Sequence, residues 1–343
     1  MHLEHHISLK PLHTFGVAVK TRYFVEAKTE DDIYALLNYR SIIRMPILIL
    51  GGGSNVLFTR DFDGIVIRIN TKGIEAKDFD GQHILVTAQS GENWDGLVKY
   101  CVEKGWAGLE NLSLIPGTVG AAPIQNIGAY GVEVKDLIET VRFVEIDSGE
   151  EHSFSKSECL FGYRDSIFKQ TLKGKIIIQS VSFKLLKLQP PDDPAFLKLD
   201  YGDIPQELQS MGIKTPGIAG VREAVCRIRR RKLPDPDVRG NAGSFFKNPA
   251  ISQVQFEDLK NKYSSIPSYP AENQVKVPAA WLIDQCGWKG LRSGDAGVHP
   301  DQPLVLVNYG NASGKEIMDL SNQIMESVYT RFGIQLEPEV NIF

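Results

Sequence analysis

Three short stretches of this sequence carry polar side chains whose types could support acid–base chemistry at carbon. Ser244 lies in GNAGSFFKNP (240–249), Arg164 lies in GYRDSIF (162–168), and Glu339 ends the triplet Glu337-Pro338-Glu339. A hydroxyl can deliver a proton when its alkoxide is stabilised, and an arginine presents two parallel donors to a carboxylate or an enolate. Taken together, such residue types could serve the protonation of a carbon beside a developing negative charge.

Each of these residues also has a plainer interpretation. Ser244 could be a turn hydroxyl, Arg164 could pair with Asp165 on a surface turn, and a carboxylate near the end of a chain is usually solvated. The serine has no G-x-S-x-G setting and no nearby histidine, which argues against nucleophilic hydrolysis. Lys247 and Lys232 are basic groups that could assist it. The local sequence leaves these alternatives open.

A glycine-rich turn follows the first predicted buried strand, Ile47–Leu50. The turn, GGGSN (51–55), does not open a helix, because it leads through VLF to the alternating strand Ile65–Ile69. A dinucleotide-binding Rossmann fingerprint requires a helix at that point, so we exclude that fold. The turn is either a nest of backbone amides for an anion or a tight connection.

The densest turn chemistry lies between residues 116 and 131, PGTVGAAPIQNIGAYG. This segment of 16 residues contains four glycines and two prolines. Small residues let a backbone approach a flat or extended ligand closely. The segment is therefore predicted to be a ligand-binding loop.

Helices and strands are predicted along the rest of the chain. The predicted helices are Thr29–Arg40, Asn93–Lys104, Pro216–Arg231 and residues 252–262, 278–286 and 314–332. The predicted strands are Val141–Ile146, Glu151–Phe154, Ile176–Leu186, Leu304–Val307 and a proline-interrupted strand in Gln335–Phe343. The chain length predicts two or three domains. The strand–helix–strand order near the start is typical of α/β structure, and after a composition break at Gln189–Pro194 the last third is predicted to be a separate, smaller α+β domain.

Composition limits the function classes. The chain has 343 residues, 42% of them hydrophobic, and a net charge of −4, which is typical of a globular protein without a nucleic-acid surface. No apolar run spans a membrane and no signal core begins the sequence, so we expect no membrane partner and a cytoplasmic location. The 4 cysteines and 7 histidines are too scattered for a metal site, and none is expected. Without a coiled-coil seam, a monomer is expected.

Six motifs, in this order, resemble the bacterial UDP-N-acetylenolpyruvoylglucosamine reductases, flavoenzymes that complete UDP-N-acetylmuramate for cell-wall synthesis. The motifs are GGGSNVLF, PGTVGAAPIQNIGAYG, CLFGYRDSIFK, RKLPDP followed by GNAGSFFKNP, AAWLIDQCGWKG and LEPEV. They span nearly the whole chain. LDYGDI (199–204) resembles the tyrosine loop of the type I branch.

The resemblance implies an α+β fold with a two-subdomain FAD-binding unit of the vanillyl-alcohol-oxidase (PCMH) type and a C-terminal α+β substrate-binding domain. It implies FAD-binding subdomains at 1–70 and 71–214, the second with the tyrosine loop at about 187–214. A substrate-binding domain at 215–332 and a C-terminal strand at 333–343 that returns to the active site would follow. The glycine turn between strands agrees, since this flavin fold holds the pyrophosphate on such loops.

FAD is implied to lie on the two glycine-rich segments, with NADPH as the co-substrate that delivers hydride. The implied FAD-binding residues are Gly51, Gly52, Gly53, Ser54, Asn55, Pro116, Gly117, Gly120, Ala121, Ala122, Gln125, Asn126, Gly128, Ala129, Tyr130 and Gly131. Some relatives carry serines where this chain has Ala121 and Ala122. These two residues are therefore expected to contact FAD through their backbone only.

The implied substrate is UDP-N-acetylglucosamine-enolpyruvate, which takes hydride at its terminal carbon. Arg164 and Glu339 would stabilise the resulting enolate, Glu339 in a protonated or water-bridged form because a bare carboxylate would repel the enolate. Ser244 would protonate the adjacent carbon. Substrate contacts would come from Tyr201, over the diphosphate, and from Lys232, Asn248 and Tyr163.

Two other functions are compatible with such a scaffold. One is a flavin oxidase or dehydrogenase of the same cofactor fold that acts on another substrate, which would not need Ser244 paired with Glu339. The other is a catalytically silent nucleotide-binding protein, which predicts loss of at least one polar centre. Arg164, Ser244 and Glu339 are all present.

Overall fold

The structure is a computed structural model that describes residues 2–39, 44–188, 196–271 and 273–343. The chain divides into two compact units. The first unit comprises Met1–Ile7, Thr21–Gly52 and Asp63–Arg231, and the second comprises Ser8–Lys20, Gly53–Phe62 and Lys232–Phe343. Each unit therefore combines segments that are far apart in the sequence.

Seven α-helices lie within the described residues. They are α1 (Glu30–Leu37), α2 (Trp94–Glu103), α3 (Ile204–Ser210), α4 (Ile218–Lys232), α5 (Gln253–Lys262), α6 (Ala279–Gln285) and α7 (Gly314–Phe332). All except α3 lie at predicted positions. Helix α3 has seven residues in a polar stretch and was not predicted.

The strands are mostly short and are numbered in chain order. They are β1 (Glu4–Ser8), β2 (Lys20–Ala27), β3 (Ile47–Leu50), β4 (Val56–Leu57), β5 (Phe62–Ile69), β6 (Ile74–Asp78), β7 (His83–Gln89), β8 (Trp106–Ala107), β9 (Gly128–Ala129), β10 (Val132–Glu133), β11 (Ile138–Glu145), β12 (Glu151–Ser155), β13 (Ile176–Lys187), β14 (Gly240–Ser244), β15 (Ala250–Ile251), β16 (Tyr269–Ala271), β17 (Gln274–Lys276), β18 (Arg292–Ser293), β19 (Ala296–Val298), β20 (Val305–Asn308) and β21 (Asn341–Ile342).

One sheet of the first unit has the strand order β1-β2-β5-β3, with β3 and β5 parallel. Helix α1 contributes Ile33 and Leu36 to the hydrophobic core that includes Ile65 and Ile67 of β5. Thr29 begins the helix with a capping box, in which its hydroxyl accepts from the Asp32 amide. The helix ends at Leu37, earlier than predicted, and Arg40 lies outside the described residues.

The larger sheet of the first unit has the order β12-β11-β13-β7-β6, and β8 also pairs with β13. The predicted hairpin is confirmed as β11 and β12, and β13 extends one residue beyond the prediction. Trp94 of α2 packs into the core of this sheet, with its ring 5.9 Å from that of Phe183. Asn93 begins α2 by accepting a hydrogen bond from the Gly96 amide.

Helices α3 and α4 form a further core of the first unit. Ile204 and Leu208 of α3 pack with Val221 and Val225 of α4 and with Leu197. The predicted composition break at 189–194 lies outside the described residues, as do residues 189–195 of the predicted tyrosine loop. The described part of that loop contains α3.

The second unit contains a four-stranded sheet, β14-β20-β19-β18, and a three-stranded sheet, β15-β17-β16. Helix α7 begins after a capping box at Ser313 and ends at Phe332, where Gly333 caps it with a φ of 65°. The predicted C-terminal strand is limited to Asn341–Ile342, which pairs in parallel with β4. In the part of the chain that the structure describes, no helix is both long and apolar enough to cross a membrane.

Candidate active site

Ser244 ends strand β14, whose pairing with β20 is irregular just before it. Asn241 lies opposite Val307 and Ser244 opposite Val305, with a register shift between them. Gly243 has a φ of 68°, which glycine adopts without strain, and its amide donates to Asn241 Oδ1 at 2.9 Å. A bulge of this kind re-aims the side chain that follows it. The positive φ at this bulge therefore explains why a glycine precedes Ser244.

The two phenylalanines after Ser244 fix this end of the strand. Phe245 and Phe246 are buried, and their ring centroids lie 5.1 Å apart. Phe245 also makes an edge contact with Phe15 at 6.3 Å. Large buried aromatic side chains hold a backbone position strongly. Ser244 is therefore attached to a rigid part of the second unit.

The C-terminal segment pairs with the residues that follow Ser244. The Glu339 amide donates to Phe245 O at 2.7 Å, and the Lys247 amide donates to Glu337 O at 3.0 Å. Asn55 Nδ2 donates to Glu339 O at 3.3 Å. The second unit thus brings Ser244, Glu339 and Asn55, which are far apart in the sequence, onto adjacent backbone segments.

Two polar residues that follow Ser244 have structural contacts in the second unit. Lys247 Nζ lies 3.2 Å from Glu337 Oε2, so its ammonium forms an ion pair within the same antiparallel pairing. Asn248 Oδ1 accepts a hydrogen bond from the Ala279 amide at 2.9 Å, which satisfies a donor in the first turn of α6. Lys232 is the last residue of α4.

In the first unit the two predicted FAD-binding segments touch each other. A Cβ on Gly52 would lie 2.9 Å from Gly117 Cα, and a Cβ on Gly51 would collide with the Thr118 hydroxyl. The Gly117 carbonyl accepts a hydrogen bond from the Trp94 amide at 3.1 Å, so this bond attaches Gly117 to the first residue of α2. The glycines of both segments are needed for this close approach.

The middle of the 116–131 loop lies against the turn after β7. The Gly120 amide donates to Ser90 O at 2.9 Å, and a Cβ on Gly120 would overlap the Ser90 side chain. Ala122 is buried in the core of the larger sheet, whereas Ala121 is exposed. The Ala122 side chain is therefore directed to packing.

The end of this loop is a hairpin made by β9 and β10. Tyr130 and Gly131 form its two-residue turn, with φ values of 49° and 79°. Positive φ at both positions is the geometry of tight hairpin turns, and it is costly for a tyrosine. Tyr201 lies against this turn: its ring centroid is 6.5 Å from that of Tyr130.

Arg164 is directed to carbonyls of the same loop. Its Nη2 donates to Gly128 O at 2.7 Å and its Nη1 to Asn126 O at 3.4 Å, and its guanidinium lies 5.5 Å from the Tyr163 ring centroid. The backbone of Arg164 has a φ of 53°, an uncommon value for a residue with a Cβ. Asp165, the alternative partner that the sequence left open, accepts hydrogen bonds from Gln170.

Two residues of the first unit that the sequence analysis did not select contact the loop. Asn111 Nδ2 donates to Tyr130 O at 2.9 Å. Arg229 hydrogen-bonds the Tyr130 hydroxyl, and its Nε donates to Leu114 O at 3.2 Å. Burial raises the pKa of Tyr130 and lowers that of Arg229. Neither residue has a local signal in the sequence, because each acts through a partner distant along the chain.

The residues of the first unit fit a flavin dinucleotide. Gly51, Gly52 and Gly120 leave no room for a Cβ, which would meet Thr118, Gly117 and Ser90 respectively, so the backbone packs closely at these positions. Backbone amides on such a surface suit a pyrophosphate. For metals, no group of three His, Cys, Asp or Glu side chains that could bind an ion is found within the described ranges.

Two family profiles match the chain. The profile described as FAD binding domain matches residues 21–155, and the profile described as UDP-N-acetylenolpyruvoylglucosamine reductase, C-terminal domain matches residues 235–343. The first match covers Gly51 to Asn55 and the whole 116–131 loop. The second covers Ser244 and Glu339.

Several curated proteins are similar over their full length. The UDP-N-acetylenolpyruvoylglucosamine reductase of Amoebophilus asiaticus is 50% identical over 100% of this chain and 99% of its own. The enzyme of the same name from Chromobacterium violaceum is 48% identical over 97% of this chain and 96% of its own. A crystal structure of a UDP-N-acetylenolpyruvylglucosamine reductase from Thermus caldophilus covers 100% of this chain and 99% of its own, with a TM-score of 0.68 and 24% identity. The predicted α+β fold with an FAD-binding unit is confirmed.

Proposed function

The chain belongs to the family of UDP-N-acetylenolpyruvoylglucosamine reductases, which are FAD-dependent oxidoreductases, and on that basis we propose that it reduces UDP-N-acetylglucosamine-enolpyruvate to UDP-N-acetylmuramate with NADPH. The observation that carries the proposal is the pairing of the Ser244 and Glu339 segments in the second unit, where the Glu339 amide donates to Phe245 O at 2.7 Å. The product would serve peptidoglycan synthesis, and through it cell shape and division.

Backbone groups of the two glycine-rich segments would bind FAD, with Gly51 to Asn55 and the 116–131 loop at the pyrophosphate and flavin. When bound, FAD would supply the transfer of hydride from NADPH to the terminal carbon of the enolpyruvyl group. The contact between Gly52 and Gly117 supports this assignment, because the start of one segment packs directly against the start of the other within the first unit.

Arg164 and Glu339 are proposed to stabilise the negative charge that develops on the substrate carboxylate. The guanidinium of Arg164 is already oriented by the Gly128 and Asn126 carbonyls, so little reorganisation is needed. Oriented donors of this kind are commonly worth about 10²–10³ in rate each. Glu339 is proposed to act in a protonated or water-bridged form.

Ser244 is proposed to protonate the carbon next to the substrate carboxylate. The rigid setting of its strand, held by Phe245 and Phe246, supports a fixed donor position. General-acid catalysis of this type contributes roughly 10²–10⁴ in rate. The serine would regain its proton from solvent or from a neighbouring basic group.

Tyr201, Tyr163, Lys232 and Asn248 are proposed to bind the substrate, with Tyr201 over the diphosphate. Tyr201 and Tyr163 support this role because both are exposed aromatic side chains of the first unit. We further propose a type I enzyme that acts as a cytoplasmic monomer. Its domains would be the FAD-binding subdomains 1–70 and 71–214, the substrate domain 215–332 and the C-terminal strand 333–343.

The proposal is tested with purified protein that has been saturated with FAD. NADPH oxidation should depend on added UDP-N-acetylglucosamine-enolpyruvate, and the product should be heavier than the substrate by one hydride and one proton. Ser244→Ala is the matched variant, because it removes only the proposed proton donor. NADPH oxidation that ignores this substrate but responds to another would favour an oxidase or dehydrogenase of the same cofactor fold. Protein that cannot take up FAD would exclude both enzymes.

A further inference from the structure

A buried asparagine joins the tip of the proposed FAD loop to the segment that carries Tyr201. Asn111 is fully buried in a short 3₁₀ turn, Glu110–Leu112. Its Nδ2 donates to Tyr130 O at 2.9 Å and to Lys198 O at 2.8 Å. A single carboxamide NH₂ group thus donates hydrogen bonds to two carbonyls from segments that are far apart in the sequence.

The orientation of the Asn111 side chain follows from these two bonds. Its Oδ1 has no hydrogen-bond partner among the residues that the structure describes. Turning the carboxamide over would place that oxygen against two carbonyl oxygens, which repel it. The two donor bonds therefore set the orientation of the group, and the group in turn fixes the spacing of the two carbonyls.

The Tyr130 carbonyl belongs to the strained tip of the hairpin. Tyr130 has a φ of 49°, and Gly131 beside it has a φ of 79°. A conformation of this kind persists when surrounding contacts over-determine it. Here the contacts are the Asn111 bond to the carbonyl and the Arg229 bond to the hydroxyl.

Tyr201 lies directly on this tip. A Cβ on Gly131 would be 3.3 Å from Tyr201 Cδ2, and the rings of Tyr130 and Tyr201 meet edge to face at 85°. Lys198 is three positions before Tyr201, so the bond that its carbonyl accepts from Asn111 holds the same short segment. Asn111 therefore bonds both the tip that Tyr201 contacts and the segment that carries Tyr201.

We propose that Asn111 is a positioning residue for substrate binding, which acts by docking the 196–203 segment and its Tyr201 onto the FAD loop. The inference rests on the proposed function only in taking Tyr201 as a substrate contact. Without Asn111 the docked arrangement would be populated for less of the time. The apparent dissociation constant of the substrate rises by the inverse of that fraction.

The test uses the FAD-loaded Asn111→Ala variant. Loss of two neutral hydrogen bonds predicts that the dissociation constant of UDP-N-acetylglucosamine-enolpyruvate rises about tenfold, which corresponds to ~1.4 kcal/mol. Flavin reduction by NADPH should change much less than substrate binding, because Asn111 reaches the FAD loop only at the Tyr130 carbonyl. Should Asn111→Ala not fold, Asn111→Ser keeps one donor and is expected to give an intermediate increase.

The control is Ser113→Ala in the same turn. It removes the bond from Ser113 Oγ to Glu110 O, at 2.6 Å, without touching Tyr130 or Lys198. A double-mutant cycle with Tyr201→Ala adds a second check. If Asn111 acts through Tyr201, the Asn111→Ala change has little further effect once Tyr201 is absent. Equal effects of the two turn variants, or full additivity with Tyr201→Ala, would overturn the proposal.

Hydrogen exchange separates this inference from the proposed function. Amides in peptides that cover residues 196–203 should exchange about ten times faster in Asn111→Ala, and at the wild-type rate in Ser113→Ala. This readout needs no substrate, so it still decides the docking role if the wild-type protein fails to bind the enolpyruvyl compound. Unchanged exchange in Asn111→Ala contradicts the docking role even in a fully active enzyme.

Discussion

Gly52→Ala is the substitution that tests the contact between the two glycine-rich segments most sharply. A Cβ at Gly52 would lie 2.9 Å from Gly117 Cα and 3.3 Å from the Gly117 carbonyl carbon. Carbon atoms pack at about 3.5–4.0 Å, so the two segments must separate by roughly 0.6–1.1 Å at this point. Because the obstacle is backbone on both sides, no side chain can turn away to relieve it.

Overpacking of this size commonly costs about 1–3 kcal/mol. The strain either remains in the FAD-free protein, which lowers its stability, or is relieved by splaying the segments, in which case FAD must restore them. In the second case the dissociation constant of FAD rises by a factor of about 5 to 150. The two losses together should amount to the strain energy.

The assay combines a fluorescence titration of the FAD-free protein with FAD and a urea unfolding curve of the same preparation. Gly81→Ala is the matched control, since a Cβ there meets nothing within 4 Å and the backbone needs no positive φ. The control should match wild type in both measurements. A Gly52→Ala variant that binds FAD and unfolds as the control does would refute the close approach of the two segments.

Four further substitutions have defined outcomes. Ser244→Ala should slow the oxidation of reduced enzyme by substrate about 10²–10⁴-fold, while flavin reduction by NADPH is unchanged. Stopped-flow absorbance that shows slowed flavin reduction and an unchanged oxidation step would exclude the serine as the acid. Arg164→Lys loses the two-pronged fork that bonds Gly128 O and Asn126 O, so the same step should slow by about 10²–10³; wild-type kinetics would count against a role in charge stabilisation. Thr29→Ala removes the cap of α1 and should lower the free energy of unfolding in urea by about 1 kcal/mol, and an unchanged midpoint would contradict the cap. Burial raises the pKa of Glu110, so wild-type stability should fall as the pH rises above the ordinary carboxyl pKa and through the raised one. In thermal unfolding followed over that rise in pH, Glu110→Gln should show less of this fall.

The sequence was most informative where local rules decide the structure. The caps at Thr29 and Asn93 mark the starts of their helices, and Gly105 lies just past the end of α2 with a φ of 74°. The absence of a helix signal after the glycines that follow Leu50 correctly predicted a glycine turn between two strands in place of a Rossmann motif. In each of these cases the deciding contacts lie within a few residues of one another.

What the sequence could not predict depends on contacts between distant segments. The pairing of Glu339 with Phe245 has no signature in either stretch, because backbone hydrogen bonds between strands carry no residue code of their own. The positive φ of Arg164 and the two hydrogen bonds that Asn111 donates likewise depend on tertiary contacts. The motifs identified the candidate site residues, and the structure shows the backbone and side-chain contacts that each of them makes.

The measurement closest to the central claim is an anaerobic reduction followed by addition of substrate. FAD-loaded protein is reduced with one equivalent of NADPH, UDP-N-acetylglucosamine-enolpyruvate is added, and the flavin absorbance near ~450 nm is followed. The proposed function predicts that the absorbance of oxidised flavin returns in proportion to the substrate added, with UDP-N-acetylmuramate as the product. Flavin that NADPH reduces but this substrate leaves reduced would contradict the assignment.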